Sequence, residues 1–151
     1  MATPVVGLTG GTPVSGPGGI ASVVATFDLT AQAANIASTL LYTIPAGAAG
    51  MYRITALAVT TQAATTSSTL PQINVQYNDQ DTNVRYNTAI GTAGNTLNFV
   101  GSNNLIGSYP NSITLKLAAG STINFTTTGY ASSGATPLQY AVHIRIEYLG
   151  N

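Results

Sequence analysis

The sequence predicts an all-β domain, and three observations carry that expectation. Short apolar–polar alternations recur along the chain, Gly, Pro, Asn and Asp punctuate them, and no segment holds a 3.6-residue apolar period. Eight or nine strands spaced in this way indicate a sandwich, a jelly roll or a barrel. At 151 residues, 44% of them hydrophobic, the chain fits one domain that can bury a substantial core.

Residues 1–22 read as an extended arm, and residues 23–151 as the folded domain. Gly7, Gly10, Gly11, Gly16, Gly18 and Gly19 mix there with Pro4, Pro13 and Pro17, which forbids a helix and discourages a central strand. Collagen is excluded because glycine does not fall at every third position. Such an arm is expected to lie along a neighbouring subunit.

Strands are predicted over residues 23–29 and 39–44, the second stopped by the turn Pro45-Ala46-Gly47. Residues 51–60 alternate, with Tyr52, Ile54, Ala56 and Ala58 opposite Arg53, Thr55, Leu57 and Val59. Residues 72–78 alternate too, placing Ile73, Val75 and Tyr77 on one face. The next strands are predicted at 83–90, after the turn Asp79-Gln80-Asp81-Thr82, then at 96–100, 112–118 and 122–128. The last, 138–149, is the clearest: Tyr140, Val142, Ile144, Ile146 and Tyr148 form one apolar stripe at period two. Residues 31–38 fit either one helical turn or a loop, and residues 62–69, all Ala, Thr, Ser and Gln, read as an exposed loop or hairpin tip.

Composition narrows the function. Only Arg53, Arg85, Lys116 and Arg145 are basic and only Asp28, Asp79, Asp81 and Glu147 acidic, so 5% of residues are charged against about 25% in ordinary domains. Four scattered cations do not make a nucleic-acid surface. The absence of cysteine excludes disulfides, thiolate catalysis and cysteine-based zinc sites. No stretch reaches the roughly 18–20 apolar residues of a membrane helix, and the start lacks a basic segment leading into an apolar block, so no secretory leader is expected. Zero net charge gives weak self-repulsion and favours association between copies. The expectation is a non-enzymatic building part without a cofactor.

The residues that could carry chemistry are few. His143, the single histidine, lies on the last predicted strand opposite the apolar stripe. Catalysis would require a nucleophile or an orienting acid beside it. Glu147, four residues along the same face, is roughly 13 Å away at about 3.3 Å per residue. Asp79 and Asp81 have the alternate spacing of part of a calcium loop and are weak metal candidates. The later glycine and the glutamate at the twelfth position are missing, so a hairpin turn is the default. Most of the eight tyrosines fall inside predicted strands, where packing is expected; Tyr109 and Tyr130 fall at loop positions open to a ligand. The polar face of the last strand holds Gln139, His143, Arg145 and Glu147 among small and apolar residues. Isolated charges on such a face suit groups that fix register across a subunit interface.

Two segments, 41–54 and 129–150, carry a resemblance. The turn Tyr42-Thr43-Ile44-Pro45-Ala46-Gly47 and the closing strand Tyr140-Ala141-Val142-His143-Ile144-Arg145-Ile146-Glu147-Tyr148-Leu149-Gly150 are its most specific parts. They resemble a family of tailed-bacteriophage virion proteins with trimeric antiparallel jelly rolls related to the C1q/tumour-necrosis-factor fold. The likeness covers about residues 26–150 and leaves out the arm. It implies a homotrimer whose last strand lies centrally, one face in the sandwich core and the other near the three-fold axis. It further implies a place on the outer surface of a virion, as a capsid decoration (cement) protein bound to the major capsid protein. The alternative is a fibre tip that binds a host glycan through loops such as 62–69 and 103–111. The short chain and its arm favour decoration. Arg53, Gln139, His143, Arg145 and Glu147 are the expected trimer contacts, and Thr3, Pro4, Val5, Val6, Leu8, Pro13 and Val14 the expected capsid contacts.

Overall fold

The computed structural model describes residues 5–7, 21–90 and 108–150. Among them the chain forms eleven strands and no helix: β1 (Val5–Gly7), β2 (Ser22–Gln32), β3 (Thr39–Thr43), β4 (Gly50–Gln62), β5 (Ser67–Thr69), β6 (Gln72–Asn78), β7 (Arg85–Ile90), β8 (Ser108–Leu117), β9 (Thr122–Thr128), β10 (Ala131–Ser133) and β11 (Gln139–Gly150). One sheet has the order β1-β2-β11-β4-β8, a second β3-β9-β6-β7, and β5 pairs with β10 in a separate ribbon.

That order defines a jelly roll. The chain folds as a long antiparallel double strand: β2 pairs with β11, β3 with β9, β4 with β8 and β6 with β7. Successive pairs alternate between the sheets, so the double strand wraps into an antiparallel sandwich. Its inner faces meet in one apolar core. Phe27 of β2 and Phe125 of β9 touch edge to face across it, with ring centroids 5.0 Å apart.

The strand with the longest apolar stripe takes the central place. Tyr140, Val142, Ile144, Ile146 and Tyr148 of β11 are all buried, and the strand pairs with β2 on one side and β4 on the other. A strand flanked on both edges can place a whole face in the core only if every second residue is apolar. Alternation also sets β4, where Tyr52, Ile54, Ala56 and Ala58 are buried as the pattern requires.

Several boundaries differ from the expectation. β2 runs on to Gln32 through Ala31, whose φ of 54° accompanies the register shift opposite β11. Residues 33–38 are a loop without a helical turn, because neighbouring strands take its polar groups. Thr127 Oγ1 accepts the Ile36 N–H at 2.7 Å, and the Tyr140 hydroxyl donates to the Ala34 carbonyl at 2.8 Å. β7 begins at Arg85, since Asn83 takes a left-handed φ of 52° within the turn. β8 starts earlier than residue 112 and includes Pro110, which an edge strand accepts because one side of its backbone needs no partner. The strand expected at 96–100 lies outside the described residues.

Two glycines have conformational reasons. Gly47, at φ 81°, occupies the third position of a type II turn closed by the Ala48 N–H on the Pro45 carbonyl at 3.1 Å. Gly134, at φ 108°, lies where an added Cβ would meet Thr65 Cβ at 2.8 Å and the Thr66 nitrogen at 2.9 Å. Residues 62–69, read as an exposed loop or hairpin tip, keep Thr65 and Thr66 exposed but also hold the end of β4 and the whole of β5. Ser67–Thr69 pairs with Ala131–Ser133, and Ser67 and Ser133 share a hydroxyl hydrogen bond of 2.6 Å.

The tyrosines give the fold a pH limit. Burial pushes the phenols of Tyr42, Tyr52 and Tyr140 above the ordinary tyrosine range, most strongly at Tyr52, which also packs against Tyr42 and Tyr148. Groups with raised pKa stabilise the fold fully below about pH 10, the unfolded tyrosine value, and that contribution disappears as pH rises through the folded values. Stability is therefore expected to fall above that range. In an ultraviolet absorbance titration a late subset of phenols should ionise together with loss of the fold; independent ionisation of all eight at the ordinary value would contradict it.

Candidate functional site

The outward face of the five-stranded sheet collects the chain's charges. Because core residues alternate with outward ones along β11, His143, Arg145 and Glu147 share the solvent side of the central strand. Register sets their neighbours. Asp28 of β2 and Leu57 of β4 lie opposite His143, Thr26 and Thr55 opposite Arg145, and Arg53 opposite Glu147. Thr114 of β8 continues the row beyond Arg53, and Lys116 lies opposite Met51.

Glu147 is the centre of the largest ionic group. Its Oε2 accepts from Arg53 Nε and Nη2, each at 2.6 Å, while its Oε1 faces Arg145 Nη2 at 3.4 Å. The glutamate side chain is 12% exposed against 44% and 56% for the two arginines, so the arginine side chains cover it. A carboxylate shared by two guanidiniums on adjacent strands clamps β4 to β11 at one register.

His143 has an acid partner that its own strand does not supply. Its Nδ1 lies 2.5 Å from Asp28 Oδ1 across the β2–β11 pair. In the neutral imidazole this bond holds the proton on Nδ1 and leaves Nε2 outward as an acceptor. Glu147 is too distant to serve His143, as strand spacing required, but the apparent lack of an orienting acid is corrected by Asp28. Among the described residues no hydroxyl hydrogen-bonds to the ring. The signal in the sequence was the polar phase of the first long strand, where Asp28 lies between buried Phe27 and Leu29. Finding it required the first and last long strands to be recognised as neighbours.

The third pair joins Lys116 Nζ to Asp81 Oδ1 at 2.8 Å. Asp79 is occupied by its own turn: its Oδ1 accepts the backbone N–H groups of Asp81 and Thr82 and the Thr82 hydroxyl, at 3.1, 2.9 and 3.0 Å. Those bonds, the Thr82 backbone one foremost, hold the Asp79 carboxyl below the usual carboxylate range. The two aspartates thus cap a turn and pair a lysine, and no group of three potential metal ligands occurs among the described residues.

Five of the chain's eight charged side chains, Asp28, Arg53, Lys116, Arg145 and Glu147, therefore lie on this face with its histidine, and Asp81 reaches Lys116 at the rim from the turn between β6 and β7. Gln139 does not join them. It lies at the end of β11 opposite Gln62, with half-buried Val59 and Leu57 between it and the ionic groups. Of the arm, the backbone of Val5 and Val6 adds a strand to the β2 edge of the same chain, opposite Asp28 and Phe27. Thr3, Pro4, Leu8, Pro13 and Val14 lie outside the described residues.

The sequence matches no known protein family, and no curated protein matches it. Among solved structures, the chain is similar to part of infectious bursal disease virus, Gx strain, at 15% identity and a TM-score of 0.44, over 99% of this chain and 34% of that one. It is also similar to part of the Clostridium thermocellum N-terminal endo-1,4-beta-D-xylanase 10B, whose CBM22-1 and GH10 modules were complexed with xylohexaose, at 15% identity and a TM-score of 0.38, over 98% of this chain and 26% of that one. The chain thus spans about a third and a quarter of these two proteins.

Proposed function

We propose that this jelly roll is a non-enzymatic structural protein of a virion, acting as a homotrimer that decorates the outside of a bacteriophage capsid. The observation that carries the reading is the gathering of five charges and the histidine on one sheet face. Exposed ion pairs in water contribute little, typically 0 to about 1 kcal/mol. Removed from water between matched surfaces, the same pairs fix register and reject wrong partners. A chain that has discarded charge nearly everywhere else keeps it where such specificity is useful. Met51, Leu57 and Val59, each half-buried, lie on the same outward phase and supply apolar area beside the ionic groups.

The three-fold count and the capsid rest on the resemblance of segments 41–54 and 129–150 to trimeric phage virion proteins. The mechanism is avidity: three weak contacts presented together hold a lattice position that one would not. Sedimentation velocity at micromolar concentration should give three times the chain mass of 15.3 kDa. A monomer overturns the assembly, and a trimer that leaves phage heads unlabelled overturns the capsid role.

A further inference from the structure

The four acids of the chain are all engaged. Asp28 binds His143, Glu147 binds Arg53 and Arg145, Asp81 binds Lys116, and Asp79 closes its turn. Of the four cations, Arg85 alone has no carboxylate partner among the described residues. It lies on β7 in the other sheet, on an outward face that holds no acid.

Its surroundings are side-chain amides. Register places Asn78 opposite Arg85, and Gln76 between Asn87 and Asn124 in a row across β7, β6 and β9. Arg85 Nη2 donates to Gln76 Oε1 at 3.3 Å and to Asn124 Oδ1 at 3.5 Å. These contacts decide how the amides are turned. With their oxygens towards the guanidinium, Gln76 Nε2 and Asn124 Nδ2 face away from it as donors. Ser38 Oγ donates to the same Gln76 oxygen at 3.1 Å and holds it there. The guanidinium keeps the N–H groups of Nε and Nη1 for another acceptor.

We infer that this face of the second sheet binds an acidic saccharide, its carboxylate at Arg85 and its ring hydroxyls on the amide row of Asn87, Gln76 and Asn124. Asp79 of the adjoining turn spends its carboxylate within that turn, and a cation left without a carboxylate partner and flanked by amide donors selects an anion bearing several neutral acceptors. A protein carboxylate fits less well, because protein interfaces are anchored by aromatic or large apolar groups at their centre, and among the described residues the outward phase of this face holds only Leu40 and Ala89, with Val84 and the Tyr86 ring, stacked on Tyr77, exposed at its β7 edge. The sheet lies on the opposite side of the sandwich from the proposed subunit contact, so the inference stands whether or not the chain assembles.

The test uses the full chain, following the side-chain amide resonances of Gln76 and Asn124 by NMR during titration. Methyl β-glucuronide should shift them saturably. Methyl β-glucoside should bind about tenfold or more weaker, the equivalent of one charge-assisted hydrogen bond, and Arg85→Gln should abolish the preference for the acid. Acetate binding as well as the glucuronide reduces the site to one for a bare anion and overturns the saccharide. A blocked aspartyl peptide binding more tightly transfers the face to a protein partner and overturns it likewise. Equal response to glucuronide and glucoside in the unaltered protein overturns the role of Arg85 without recourse to a variant.

Discussion

Replacing Phe125 by alanine is expected to destabilise the fold by about 3–5 kcal/mol. The ring is fully buried on β9 and packs edge to face against Phe27 of β2, so it belongs to the contact that holds one sheet on the other. Removing it deletes both the transferred apolar area and the aromatic pair. The resulting space is bounded by strands paired on both sides, since β9 lies between β3 and β6 and cannot move inward without breaking two ladders. Relaxation is therefore limited and the cavity term stays large. Phe125→Leu keeps most of the volume and should cost less than half as much. Urea unfolding would read both as a lower midpoint at unchanged slope. A loss under about 1 kcal/mol for the alanine variant would contradict the face-to-face packing of the sheets.

What the sequence disclosed follows from how strongly two-sided burial constrains a strand. β6 and β9 match their predicted bounds because each lies inside a sheet and must alternate along its length. Ends were less legible. The run of β2 past Leu29 depends on Ala31 entering a left-handed conformation opposite β11, which no local propensity announces. β5 and β10 were invisible, being three residues each of Ser, Thr and Ala, stabilised by each other and by the close approach that Gly134 permits. At the site, Arg145 and Glu147 could be paired with one face from β11 alone. Asp28 and Lys116 could not, because their places are set by strand order, a non-local property that alternation does not encode. The same holds for Arg85, whose lack of an acid partner emerges only when every carboxylate has been placed.

Neutralising Glu147 with glutamine should separate what the ionic group does within one chain from what it does between chains. Within the chain, the carboxylate is nearly covered and answers two guanidiniums, whereas both arginines reach solvent. Loss of its charge leaves Arg53 and Arg145 repelling each other on adjacent strands, with water available to moderate the cost. We expect a decrease of about 1–3 kcal/mol, between the values for exposed and buried pairs. The double variant Arg53→Met with Glu147→Met removes one of the two stranded cations, ends their mutual repulsion and adds apolar area, leaving Arg145 largely in solvent, so its chain stability should return close to the original. Between chains the two variants should agree. If the group fixes register across copies, both should weaken assembly by about 30-fold or more, as truncation of a desolvated charge pair does at an interface. Chemical unfolding reads the first effect, and sedimentation over a concentration series reads the second. Recovery of stability without recovery of assembly is the result that assigns the face to subunit contact. Assembly unchanged in both variants would move the interface elsewhere and leave the ionic group as a clamp between β4 and β11.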